Sequence, residues 1–151
     1  MDLKLDGKNA VVCGSTQGIG KAAAYELALL GADITLIARD EKKLKAVAKD
    51  LPTPLGQKHD YLVADFNFPD QLQSGLEKHF SRETFHILIN NTGGPAPGNA
   101  LDSKSDEYIK AFTNHLLCNQ VLVQALVPGM RKSQYGRIIN IIITCVKVKR
   151  S

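Results

Sequence analysis

Val11-Val12-Cys13-Gly14-Ser15-Thr16-Gln17-Gly18-Ile19-Gly20 decides how this chain is read. An apolar run from Ala10 to Cys13 stops at Gly14. Glycines return at Gly18 and Gly20, and an Ala/Leu-rich helical pattern follows. Strand, glycine turn and helix in that order form a cradle for a nucleotide phosphate. The first N–H groups of a helix lack intrahelical acceptors and carry the positive end of its dipole, so an anion settles there. Glycines keep the turn tight and let the backbone approach the ligand. The bland alternative is a structural turn with no ligand; the flanking strand and helix favour the phosphate. A P-loop nucleoside triphosphatase is excluded, because no Gly-Lys-Ser/Thr follows the glycines.

Outward from this turn, strands and helices alternate. Asp6-Gly7 marks a turn before the first strand, about residues 8–13. The helix after the glycines runs from Ile19 to Leu30, with Gly31 where a C′ glycine belongs. Ile34 to Ala38 is a short β-branched run, hence a second strand. Glu41 to Leu51 has helical spacing, with Leu44, Val47, Ala48 and Leu51 on one face. A third strand, Tyr61 to Ala64, ends at Asp65, and a helix spans Asp70 to Phe80 with Pro69 at its first turn. His86 to Asn90 is a fourth strand, followed by a Gly/Pro-rich loop to Gly98. Ser103-x-x-Asp106 is a cap for a long helix to about Val127, whose buried face includes Ile109, Phe112, Leu116 and Val123; Pro128-Gly129 breaks or kinks its end. Tyr135-Gly136 turns into a fifth strand, Arg137 to Ile143. Strands apolar on both faces, alternating with helices, predict a parallel sheet covered on both sides: a doubly wound α/β fold of the Rossmann type. No repeat or linker divides residues 1–151, so the chain reads as one domain.

Composition narrows the function classes. Hydrophobic residues make up 44% and charged residues 23%, as in a soluble globular protein. Three of the 19 basic residues (Lys147, Lys149, Arg150) fall in the last five positions, leaving 16 basic against 15 acidic elsewhere. No basic stripe with interleaved aromatics is present, so nucleic acid is not the expected partner. No apolar run approaches the roughly 18 residues of a membrane span, and the N-terminus shows no signal-peptide pattern. Cys13, Cys118 and Cys145 are odd in number and widely spaced, which suits a reducing compartment without disulfides or a metal site; the cytoplasm is the expected location. Cys13 and Cys118 read as small core residues.

The spacing G-x-x-x-G-x-G, with four further features, resembles the short-chain dehydrogenase/reductase family over essentially the whole chain. The family's T-G-x-x-x-G-x-G stands here as Cys13 to Gly20, with Cys for the leading Thr. Its N-N-A-G stands as Asn90-Asn91-Thr92-Gly93, with Thr for Ala. Asp65 follows the third strand, Asn114 lies in the long helix, and Gly136-Arg137-Ile138-Ile139-Asn140-Ile141 matches the strand after it. The Thr92-Gly93-Gly94-Pro95 tract and strand five look most like bacterial members named 3-oxoacyl-carrier-protein reductases.

The resemblance implies a nicotinamide cofactor at Gly14, Ser15, Thr16, Gln17, Gly18, Ile19 and Gly20, with Arg39, with Asp65 and Phe66 at the adenine, and with Asn91, Thr92 and Gly93 beside the nicotinamide ribose. Arg39 favours NADP(H), because a guanidinium pairs bidentately with a 2′-phosphate. Its alternative role is a surface ion pair with Asp40 or Glu41, and Asp40 keeps NAD(H) open. Asp65 is alternatively the cap of the next helix, and the Asn91 loop a plain turn. Asn114 has a supporting catalytic role in the family; a one-residue shift of register would give that place to His115. The implied partners are a small-molecule carbonyl or alcohol and a second copy of the chain through the 103–130 helix.

Carbonyl reduction in this family also requires a tyrosine acid, a lysine four residues after it and a serine for the carbonyl. Positioned proton transfer is worth roughly 10²–10⁴-fold in rate. Four residues after Tyr25, Tyr61, Tyr108 and Tyr135 stand Leu29, Asp65, Phe112 and Ile139, so the Tyr-x-x-x-Lys pair is absent. The serine position falls on Ile143, with Thr144 beside it. The expectation is therefore the dinucleotide-binding front part of a reductase, or a non-catalytic nucleotide-binding remnant or partner subunit. Strand five, without neighbours, would be an aggregation-prone edge guarded only by the alternating Val146-Lys147-Val148-Lys149.

Overall fold

A computed structural model describes residues 3–80, 83–93, 102 and 104–142. The elements are β1 (Asn9–Cys13), α1 (Gly18–Leu29), β2 (Asp33–Ala38), α2 (Glu41–Asp50), β3 (Asp60–Val63), α3 (Pro69–His79) and β4 (Ile87–Asn91). After them come α4 (Ser105–Phe112), a π turn (Thr113–Leu117), α5 (Cys118–Lys132) and β5 (Arg137–Ile141). The strands form one parallel sheet in the order β3-β2-β1-β4-β5. The chain winds outward from β1 to β3, then crosses to the other side of β1 for β4. The switch point of this Rossmann-like sheet therefore lies between β1 and β4, outside their carboxyl ends.

The period-two alternation of the central strands builds two cores. Ala10, Val12, Ile34, Leu36, Ile87 and Ile89 point to the face covered by α1 and α2. Val11, Cys13, Ile37 and Leu88 point to the opposite face, under Leu72 and Leu76 of α3 and Leu122, Leu126 and Met130 of α5. All of these positions are buried. Coverage on both faces is what lets β1, β2 and β4 be almost wholly apolar.

Two expectations from sequence are corrected. Pro128 does not end the long helix; α5 continues through it to Lys132. Pro128 deprives the Gln124 carbonyl of a donor, but both residues are exposed, where solvent replaces the bond. The helix stops where Gln134 turns to positive φ. Second, Ile109, Phe112 and Leu116 are not a buried face but are 63%, 54% and 56% exposed, and Val123 is half-buried. The π turn inserts an extra residue, which rotates the following helix by about 100°. The row that packs on the sheet is instead Cys118, Leu122, Leu126 and Met130. As expected for a strand five without neighbours, β5 is an exposed edge among the described residues: Ile138 and Ile139 are 39% and 52% exposed. Residue Ser103 lies outside the described residues; at the start of α4, the Lys104 N–H donates to the Glu107 carboxylate at 3.0 Å.

At the amino end of the sheet, His86 joins β1 to β4. Its Nδ1 accepts the Asn9 N–H at 3.0 Å, so the bond requires an unprotonated Nδ1. Burial, and then the Lys8 charge, push the His86 pKa below its usual 6.5. A group whose folded pKa is depressed stabilises the fold in full above its unfolded value, and that contribution is lost as pH falls toward the folded pKa. The melting temperature is therefore expected to drop as pH falls below about 6.5. His86→Asn, which keeps an acceptor near Nδ1 but does not titrate, is expected to flatten that slope in thermal melts from pH 7.5 to 5.5. An unchanged slope would remove His86 from the account.

Candidate functional site

The β1–α1 turn is set by three glycines with different duties. Gly14 has φ +57°, and a Cβ there would lie 2.2 Å from the Asn91 carbonyl oxygen. A Cβ on Gly20 would lie 2.3 Å from the Gly14 carbonyl oxygen. Gly18 has φ +55° but would place its Cβ in open space. Gly14 and Gly20 thus let β1, α1 and the end of β4 pack backbone to backbone. Gly18 leaves the turn bare toward the cleft. The Asn91 side-chain amide holds the turn, donating to the Cys13 and Gly14 carbonyls at 3.4 Å each. The start of α1 has no side-chain cap and no acid in its first turn. Its N–H groups and dipole are therefore available to an external anion.

A cleft of about 580 Å³ opens over this turn, across the carboxyl ends of β1 to β4. Gly14, Thr16, Gln17, Gly18 and Ile19 line its centre, Arg39, Asp65 and Phe66 one side, and Asn91, Thr92, Gly93 and Asn114 the other. Ser15 and Gly20 do not face it. Ser15 is buried with its hydroxyl 3.5 Å from the Ile37 carbonyl, and Gly20 is packed on Gly14. Ile143 lies outside the described residues, as do Thr144, Gly94, Pro95 and 146–149.

The electrostatics separate the alternatives left open by the sequence. Asp40 caps α2, accepting the Lys43 N–H at 3.1 Å, and its other oxygen lies 3.9 Å from Lys43 Nζ. Glu41 pairs with Lys45 at 2.8 Å. Arg39, exposed at the rim, makes no ion pair among the described residues. Asp65 does not cap α3, whose N-cap is Phe68; its Oδ1 accepts from the Asn67 backbone N–H and side-chain amide at 2.9 and 2.6 Å. Burial pushes the Cys13 thiol pKa up. Burial and then the Asp65 charge raise Cys118 to about 11, so neither is a thiolate nucleophile near neutrality. The described residues contain no group of His, Cys, Asp and Glu fit to hold a metal.

Lys43 and Lys110 also line the cleft and were not singled out from sequence. A signal was there for Lys110, which stands four positions before Asn114 and so on the same side of the long helix; Lys43 lies in the first turn of α2, just after Arg39. Asn67 was missed too; its place follows from the turn that Asp65 builds, which apolar periodicity does not show.

A 3-2-1-4-5 parallel sheet with a glycine turn at its switch point makes this a Rossmann-like α/β protein. The chain belongs to the short chain dehydrogenase family, whose model matches residues 8–149. It is similar to the inactive hydroxysteroid dehydrogenase-like protein 1 of Homo sapiens, at 34% identity over 141 residues, 92% of this chain and 43% of that protein. Among solved structures it is similar to L-sorbose reductase from Gluconobacter frateurii, in complex with NADPH and L-sorbose (30% identity, TM-score 0.82, 91% of this chain and 53% of that one). It is likewise similar to a metagenomic short-chain oxidoreductase in complex with NADP (30% identity, TM-score 0.82, 97% and 67%). The chain spans about half the length of the curated relatives it matches. Among the described residues no helix is long and apolar enough to cross a membrane.

The two positive-φ glycines provide a test of the turn. Gly18→Ala meets no neighbour and is expected to cost only the left-handed backbone penalty, about 1–2 kcal/mol. Gly14→Ala adds a collision with the Asn91 backbone and is expected to cost about 3 kcal/mol or more. Urea denaturation compares them, and equal losses would contradict the packing role of Gly14.

Proposed function

We propose that residues 1–151 bind NADP(H) across this cleft, as the dinucleotide-binding part of a carbonyl–alcohol oxidoreductase. The observation that carries the reading is Arg39: a guanidinium on the cleft rim whose acidic neighbours are engaged elsewhere. A ribose 2′-phosphate is the partner it suits, with Lys43, in the first turn of α2 on the same cleft, as a second cation. Asp40 is occupied as a cap, which disfavours the ribose 2′-OH contact that NAD(H) would need. The unneutralised start of α1 suits the pyrophosphate, and bare Gly18 lets it approach. Asp65 holds Asn67 through Oδ1, so Oδ2 is the oxygen for an adenine amino group. When bound, the nicotinamide supplies the hydride donor or acceptor; this chain's residues bind and orient it.

The reading stops at binding. The acid tyrosine and its lysine are absent from the 151 residues, and the similar human protein carries the word inactive in its name. A non-catalytic nucleotide-binding remnant or partner subunit is thus a second reading. The substrate class is a small carbonyl or alcohol; the likeness to 3-oxoacyl-carrier-protein reductases makes a 3-oxoacyl thioester the compound to try. The exposed row Tyr108, Ile109, Phe112 and Leu116 supports pairing with a second copy through α4.

NADPH is expected to bind at least about tenfold more tightly than NADH, the scale of a charge-assisted contact. Arg39→Ala is expected to bring the two affinities together in fluorescence titrations, and NADPH is expected to stay unoxidised with acetoacetyl thioesters. Equal affinities in the unmodified chain would refute the Arg39 argument, and turnover above background would refute the binding-only role.

A further inference from the structure

One departure from the family pattern, Thr92, is bonded to a histidine of the π turn. Thr92 stands where N-N-A-G has alanine, and its Oγ1 lies 2.7 Å from Nδ1 of His115, the residue after Asn114. Thr92 is only 5% exposed, so its hydroxyl has little access to solvent as an alternative partner. His115 belongs to the π turn and does not line the cleft. The same stretch of helix is tied to the other side of the cleft, where the Cys118 thiol donates to the Phe66 carbonyl at 3.1 Å. Just before His115, Asn114 lines the cleft with a buried Oδ1 that has no hydrogen-bond partner among the described residues. Gly93, next after Thr92, has no atom of the described residues beyond its chain neighbours within 4 Å of where a Cβ would stand. Asn91 ties this strand end to the glycine turn, and Thr92 ties it to the π turn.

We propose that His115 is a positioning residue: through Thr92 it locks the end of β4 onto the π turn, and so sets the cleft's nicotinamide end. The assignment of ends follows from topology. The pyrophosphate cradle sits at β1, and Arg39 and Asp65 draw the adenosine half over β2 and β3. The remaining half of the dinucleotide then lies over β4 and Asn114. Either imidazole tautomer serves, because the hydroxyl both donates and accepts. A hydrogen bond of this kind pre-orders the strand end before the ligand arrives, which lowers the ordering cost of binding. The inference rests on the NADP(H) reading of the cleft.

The test compares NADPH with adenosine 2′,5′-bisphosphate, which carries the 2′-phosphate and adenosine but no nicotinamide. His115→Ala and Thr92→Val are each expected to weaken NADPH about fivefold to tenfold, the effect of one lost hydrogen bond. Both should leave the bisphosphate within twofold. The double variant should be no weaker than either single one, because both remove the same bond. His115→Asn, which restores a polar atom near Nδ1, and Thr92→Ser should recover most of the loss. Thermal melts run alongside, since a merely structural role would weaken both ligands together. Parallel weakening, or unchanged NADPH binding in the variants, overturns the positioning role. Failure of the unmodified chain to bind either ligand overturns the NADP(H) reading, and this proposal with it.

Discussion

Everything at this site depends on how closely three pieces of backbone approach one another. The ends of β1 and β4 and the first turn of α1 meet at Gly14, Asn91 and Gly20, where side chains beyond hydrogen would collide with carbonyl oxygens. That contact fixes where the helix dipole points and where the cleft opens. Asn91 completes it by donating to two carbonyls that the turn leaves without strand partners. Gly18 is spared this crowding and faces the cleft, Gly14 both packs and lines it, and Gly20 only packs. Packing and binding are therefore divided among residues that the sequence motif presents as a single set.

The charges around the cleft follow from the same economy of partners. The short acidic side chains near the rim are engaged in local structure: Asp40 caps α2, Asp65 builds a turn, and Glu41 pairs along its helix. Arg39 is left without such an engagement among the described residues. The capped acids and the open guanidinium of this rim are what the proposed preference for a 2′-phosphate over a 2′-hydroxyl rests on. Beyond that rim the cleft runs toward the π turn, whose extra residue places Asn114 at the wall and His115 against Thr92. One irregular turn thus reaches both loops that border the site.

The sheet and its switch point were legible because buried parallel strands write themselves as short β-branched runs, as in Ile34 to Ala38 and Ile87 to Ile89. The glycine turn was legible because its spacing is itself a consequence of close packing. The long helix was not. A continuous 3.6-residue period from the Ser103 cap to about Val127 puts Ile109, Phe112 and Leu116 inward, but the π turn breaks it and they face outward. Sequence carries no mark of a π turn, since its cost is offset by tertiary contacts such as Thr92 with His115. Pro128 misled for the converse reason: a helix breaker tolerated on an exposed face. Within the motif Ser15 is buried and Gly20 is packed on Gly14, because adjacent residues of one turn face in different directions.

The central claim is that the β1–α1 turn and its flanking loops receive NADP(H). The direct measurement is the amide NMR spectrum of the full chain titrated with NADPH. The account predicts saturable shifts of the amides of Gly18, Ile19, Arg39, Asp65 and Thr92, with the amino end of the sheet at Asn9 and His86 unmoved. Saturable shifts confined to residues away from the cleft, or none at all from a folded chain, would contradict it.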